Sequence, residues 1–174
     1  LMSKCHQITD KPVELAPRNI THELISNKDF SSQQQAEFTR VANQLTFQLK
    51  QTNNLVCCHG DLNFSNILIT PSNSTYLVDF ECACAAPAEY DLAMFIAVNN
   101  IKEDKIPSII EHYTKNSFIE VNPALLNRYL LFCYFINGLW YTCAYNKSHL
   151  AKFTLLAKQQ WQNIHGLNLL NFCQ

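Results

Sequence analysis

The spacing of apolar residues changes character along the chain, and each change predicts an element. Residues 1–30 show no sustained period. Pro12 and Pro17 interrupt any continuous helix there, leaving residues 20–27 as a short candidate. Phe38, Val41, Leu45 and Leu49 then recur at helical spacing, with Ser31 or Ser32 placed to cap the segment, which predicts a helix to about Thr52. Asn53 and Asn54 break that helix, and the continuous apolar run at residues 55–58 predicts a short buried strand. Residues 67–70 and 75–78 are apolar and β-branched, with Pro71, Ser72, Asn73 and Ser74 supplying turn chemistry between them, so they predict a hairpin. From Ala88 onward the period is helical: residues 88–99, 103–116, 123–145 with a kink at Gly138, and 148–171. With no internal repeat and no Gly- or Ser-rich linker, residues 1–174 are expected to form a single domain of α+β class, mainly helical.

Composition narrows the function classes. A hydrophobic share of 48% against 16% charged residues predicts a folded protein with a substantial core. A net charge of -1, with 13 basic residues spread along the chain, lacks the footprint of a nucleic-acid binder. The most apolar stretch, residues 129–141, is too short to span a bilayer and is interrupted by Asn137 and Gly138, so it reads as a buried core helix and no membrane partner is expected. Residues 1–6 do not resemble a signal peptide, and a cytoplasmic location is the expectation. None of the eight cysteines forms a CxxC pair, so most are expected to be small core residues. A metal or redox site at Cys57, Cys58, Cys82 and Cys84 is the alternative.

The chemistry concentrates in His59-Gly60-Asp61-Leu62-Asn63-Phe64-Ser65-Asn66 and, beyond the hairpin, Val78-Asp79-Phe80-Glu81. Phosphoryl transfer needs an acceptor hydroxyl held in line with a phosphate and metal ions that neutralise the phosphate oxygens. An aspartate and an asparagine at D-x-x-x-x-N spacing can stand at the two ends of one loop, one facing an acceptor and the other a metal. Asp79, at the end of the hairpin's second strand, can reach the same place from the other side. Carboxylate and amide oxygens are hard ligands that suit magnesium.

These motifs resemble the catalytic and metal loops of the protein-kinase-like fold, and more closely those of the aminoglycoside phosphotransferase, choline kinase and thiamine kinase superfamily. In protein kinases the second loop residue is typically arginine and the metal motif is DFG. Here Gly60 and Glu81 stand in those places, as in the small-molecule kinases. The resemblance implies the C-terminal lobe of that fold. It implies that Asp61 takes the proton of a substrate hydroxyl, that Asn66 and Asp79 hold Mg2+ with ATP as phosphoryl donor, and that His59 is structural. Glu89-Tyr90-Asp91-Leu92-Ala93 resembles the family's YDLA segment, whose aspartate braces the catalytic loop, which gives Asp91 that part. Residues 1–8 resemble the segment ending in Leu-His in the same lobe, with Cys5 in place of the leucine before His6.

Substrate readings are less specific. Glu81 is either a substrate or metal contact at the cleft or a surface carboxylate. Trp140, Tyr141 and Trp161, with Tyr145, either hold a cationic substrate against aromatic faces or belong to the core. The expected substrate is a small alcohol of choline, ethanolamine, thiamine or aminoglycoside type. HGD rather than HND points toward aminoglycosides and thiamine, and the late aromatics toward choline or thiamine. The chain shows neither a Gly-rich phosphate loop nor a strand lysine of V-A-I-K type, since its glycines are Gly60, Gly138 and Gly166. It is therefore read as the catalytic lobe without the N-terminal nucleotide-binding lobe, with little turnover expected of the lobe alone. The rival reading is a noncatalytic kinase remnant that binds a partner lobe, or itself, through the exposed interlobe face.

Overall fold

The computed structural model describes residues 1–49 and 54–166. In chain order the elements are α1 (Met2–Cys5), α2 (Pro17–Ile25), α3 (Ser32–Gln48), β1 (Val56–Cys58), β2 (Ile67–Ile69), β3 (Thr75–Leu77), β4 (Cys84–Ala86), α4 (Ala88–Val98), α5 (Ile106–Ser117), α6 (Pro123–Ser148) and α7 (Ala151–Gly166). The fold is mainly helical, with two small antiparallel sheets. The chain divides into two compact units, one of Leu1–Leu15 with Gln51–Leu130, the other of Ala16–Lys50 with Leu131–Gln174.

In the first unit β1 lies antiparallel to β4, pairing Val56 with Ala86 and Cys58 with Cys84. The N-terminal segment joins the other edge of β4 through a parallel bridge of Glu14 to Ala85. There Leu15 N–H donates to the Ala85 carbonyl and Ala85 N–H to that of Val13, each at 2.9 Å. β2 and β3 form the expected hairpin, with Ile67 opposite Leu77 and Ile69 opposite Thr75, and Asn73 supplies the left-handed turn residue at φ 60°. α4 is buried on nearly every face from Ala88 to Ala97, as its apolar composition requires. It ends in a Schellman motif. Asn100 adopts the left-handed conformation at φ 48°, its N–H bonds the Ala97 carbonyl, and Ile101 N–H bonds that of Ile96. The Asn122 side chain caps the start of α6 by accepting from Ala124 and Leu125 N–H. Its own N–H is held by the buried Glu89 carboxylate at 2.9 Å.

In the second unit α3 begins with a capping box, Gln34 N–H on Ser31 Oγ and Ser31 N–H on Gln34 Oε1. Phe38 stacks on Trp161 at 5.9 Å and meets Phe30 and Phe135 edge-on. α6 continues through Gly138, where a side chain would lie 2.8 Å from the Trp161 ring. The glycine at that position admits the indole.

Several boundaries differ from expectation for local reasons. Pro17 does not block a helix but starts α2, because proline's fixed φ and missing N–H suit the first helical position. α1 and β4, at four and three residues, fall below the length at which a period is visible. The predicted extensions at residues 50–52 and 167–171 lie outside the described residues, as does Cys173.

Candidate active site

The strand β1 ends at Cys58, and the next residues leave it in a tight loop whose geometry only glycine permits. Gly60 has φ +81°, and a Cβ there would sit 2.1 Å from the Cys82 carbonyl oxygen. This contact brings the loop carrying Asp61 beside the turn that follows Asp79. Asp61 is tied to the far end of its own loop: Asn66 Nδ2 donates to the Asp61 carbonyl at 2.8 Å and approaches Asp61 Oδ2 at 3.4 Å. Asn63 Nδ2 also donates to Asp61 Oδ2, at 3.1 Å. Asn63 Oδ1 in turn accepts from Ser65 N–H at 2.9 Å and from Ser65 Oγ, which sets the short turn delivering Asn66.

Asn66 is also joined to the hairpin, since Val78 N–H bonds its carbonyl at 3.1 Å. His59 makes a second link. It is wholly buried, its Nε2 lies 2.9 Å from the Val78 carbonyl, and its Nδ1 accepts Asp61 N–H at 3.4 Å. Those partners require the Nε2–H tautomer. The imidazole therefore bridges Asp61 to the residue just before Asp79, and its ring rests 4.5 Å from that of Phe80. Asp79 itself is exposed, in left-handed conformation at φ 65°, and its side chain makes no cap on the 3-10 turn Phe80–Cys82. Glu81 is exposed on that turn. Partial desolvation, and then the negative charges of Asp61, Glu81 and Asp79, push the Cys82 thiol above its ordinary value.

Beneath the loop is a buried polar network. Asp91 is fully buried in the first turn of α4 and accepts His59 N–H at 3.1 Å and Gly60 N–H at 2.9 Å. Its Oδ2 also meets His6 Nε2 at 3.0 Å, and His6 Nδ1 lies 2.7 Å from the Tyr113 hydroxyl. Burial pushes Tyr113 up to about 12, so the hydroxyl stays protonated and can serve as the donor to Nδ1. Asp91 thus holds the backbone of the loop at His59 and Gly60. His6 and Tyr113 extend that brace, and neither residue had a ligand or catalytic pattern in sequence.

His6, Cys58 and Asp91 also form the metal-ligand-type cluster found among the described residues. Every candidate atom in it is already engaged: both His6 nitrogens, both Asp91 oxygens, and the Cys58 thiol, which donates to the Ala86 and Pro87 carbonyls. Desolvation raises the Cys58 thiol far above its ordinary range, and Cys84 is pushed up to about 12 by burial first and Asp91 second. Both thiols are buried and pack beside the Asp91 network. Cys82 is the exposed exception among the described cysteines.

The aromatic candidates divide. Trp161 packs with Phe38 and Phe135 in the second unit's core, whereas Trp140, 51% exposed, meets Tyr141 at 5.3 Å and Phe153 at 5.9 Å in a separate cluster. The Lys152 ammonium lies 4.9 Å over the Phe153 ring. Tyr145 pairs with His149.

The family model described as "Phosphotransferase enzyme family" matches residues 8–130, more than half of the chain. Among solved structures, the chain superposes on the choline kinase LicA from Streptococcus pneumoniae with TM-score 0.74, 16% identity, and 95% of this chain against 60% of that one. A choline/ethanolamine kinase family protein from Mesorhizobium loti gives 0.70 and 18%, covering 95% and 58%. The aminoglycoside phosphotransferase APH(3'')-Id from Streptomyces rimosus gives 0.58 and 18%, covering 79% and 58%. At these identities the likeness is one of fold, and the chain spans about 60% of the first of these structures. An uncharacterized protein of Deinococcus radiodurans is 47% identical over 38 residues, 22% of this chain and 11% of that protein. The matched region contains the loop from His59 to Asn66, Asp79 and the Asp91 brace, and on that match the chain belongs to the phosphotransferase enzyme family.

Proposed function

We propose that this chain carries the catalytic residues of an ATP- and Mg2+-dependent kinase acting on the hydroxyl of a small, cationic molecule of choline, ethanolamine, thiamine or aminoglycoside type. The observation that carries the reading is the convergence of Asp61, Asn66 and Asp79 through the Asn66 to Asp61 bonds and the Val78 links.

The donor set fits a magnesium ion. Asn66 commits its Nδ2 to the Asp61 carbonyl, so its Oδ1 is left as the oxygen donor, and Asp79 offers an exposed carboxylate from the adjacent turn. Two protein oxygens, completed by water and phosphate oxygens, are the usual magnesium arrangement. The ion when bound neutralises phosphate charge and aligns the donor for in-line transfer. Asp61 then orients the acceptor hydroxyl and takes its proton, while the Asn63 and Asn66 amides keep its Oδ2 in place. His59 and Asp91 contact neither reactant and hold the backbone on either side. In this reading the exposed Glu81 offers an anionic contact for a cationic substrate.

The test is phosphotransfer from γ-labelled ATP to each of the four substrate groups, on this chain and on the longest natural product that contains it. One of the groups is expected to be labelled, and Asp61→Asn is expected to lower that rate by about 10²–10⁴-fold. An undiminished rate in Asp61→Asn would end the assignment.

A second reading draws on the exposed apolar residues Leu68 and Tyr76, paired across the β2–β3 hairpin on one of its faces. Such a face suits a partner lobe or self-association. Leu68→Lys distinguishes the two readings, because a binding module loses association in that variant and is indifferent to Asp61→Asn.

A further inference from the structure

α4 fastens the catalytic loop twice. Asp91, in its first turn, holds His59 and Gly60 N–H on the near side of Asp61. Asn99, eight residues later at the C-cap, holds the far side: its Oδ1 accepts Phe64 N–H at 2.8 Å and its Nδ2 donates to the Leu62 carbonyl at 3.0 Å. The second Nδ2 hydrogen goes to the Phe95 carbonyl of its own helix at 2.8 Å. These three partners fix which way the amide faces, and they require a side chain that both donates and accepts. Eight helical residues span about 12 Å, so the two clips straddle the loop. Phe95, one turn before Asn99, adds an edge-to-face contact with Phe64 at 5.7 Å.

The Asn99 bonds fall between Asp61 and Asn66. Leu62 and Phe64 flank Asn63, whose side chain steers both Asp61 Oδ2 and the turn leading to Asn66. We propose that Asn99 is a positioning residue that sets the spacing of Asp61 and Asn66, clamping the loop from the C-terminal end of the helix that braces it from the N-terminal end. This rests on the reading of Asn66 and Asp79 as the metal pair.

The test uses the 174-residue chain with Asn99→Leu and Asp79→Asn, read by amide hydrogen exchange and by Mn2+ affinity from electron paramagnetic resonance. In Asn99→Leu, Phe64 N–H is expected to exchange at least about fivefold faster while His59 and Gly60, held by Asp91, keep their protection. Mn2+ affinity should fall at least about fivefold. In the unsubstituted chain, Mg2+ should slow Phe64 exchange, because coupling between metal and clip is reciprocal. That measurement stands if Asn99→Leu fails to fold, and Phe64 exchange indifferent to saturating Mg2+ overturns the proposal. So does faster Phe64 exchange with unchanged Mn2+ affinity, which makes Asn99 merely structural while Asp79→Asn still loses the ion. Unchanged Mn2+ affinity in Asp79→Asn overturns the metal reading, and this inference with it.

Discussion

Two constraints act independently on Gly60. Its φ of +81° is one that other L-residues adopt at a cost of about 1–2 kcal/mol, and the Cys82 carbonyl occupies the space of a Cβ. Gly60→Ala is therefore expected to destabilise the chain by about 2 kcal/mol or more, seen as a lower urea midpoint. Because the neighbouring residue is Asp61, phosphotransfer should fall beyond what the residual folded fraction explains. A midpoint within error of the unsubstituted chain would show that the Cys82 turn moves aside. At this scale the placement of the candidate residues was legible in the sequence where it follows local spacing: Asp61 and Asn66 share one loop, and Asp79 follows a visible hairpin. The residues that hold them were harder to read. His6 lies 85 residues from Asp91, and Asn99 lies 35 from Phe64. A lone histidine and an asparagine after a helix carry no pattern until the fold closes those distances.

Elements were legible in proportion to their length. α3 has both a helical period and a start signal, and its capping box bonds Ser31 and Gln34 reciprocally. Ser31→Ala is expected to cost about 1 kcal/mol, measurable as a lower melting temperature, with Mn2+ affinity preserved because the box lies in a different unit from Asn66 and Asp79. β4 illustrates the opposite case. Cys84-Ala85-Ala86 has weak strand propensity and no alternation, and it becomes a strand only because β1 and the Val13–Leu15 segment pair with its two edges. α4 was legible as a helix but its function was only half visible. The acidic first turn announced Asp91 through the family resemblance, while the C-cap that grips Leu62 and Phe64 emerged from the structure.

At the scale of the molecule, the first unit is assembled from two separated stretches of chain, and among the groups that join them are a buried thiol and a buried phenol. Cys5 donates to the Cys57 carbonyl, and burial first, with Asp91 and Cys57 behind it, pushes its thiol from an ordinary value near 9 to about 12. Cys84 moves likewise to about 12, and Tyr113 rises from near 10 to about 12, in both cases chiefly through desolvation. Each group binds its proton more tightly folded than unfolded. The stability this contributes is complete below the unfolded values of about 9 for the thiols and 10 for the phenol, and it is lost as pH rises through about 12. The free energy of unfolding, measured in urea between pH 8 and 11.5, is accordingly expected to stay level near pH 8 and to decline from about pH 9 upward. Cys84→Ala removes one of the raised groups, so its alkaline slope should be shallower by as much as one proton's worth. A curve equally steep in that variant would place the alkaline sensitivity elsewhere. A flat curve to pH 11.5 would mean that the buried network admits enough water to ionise in place.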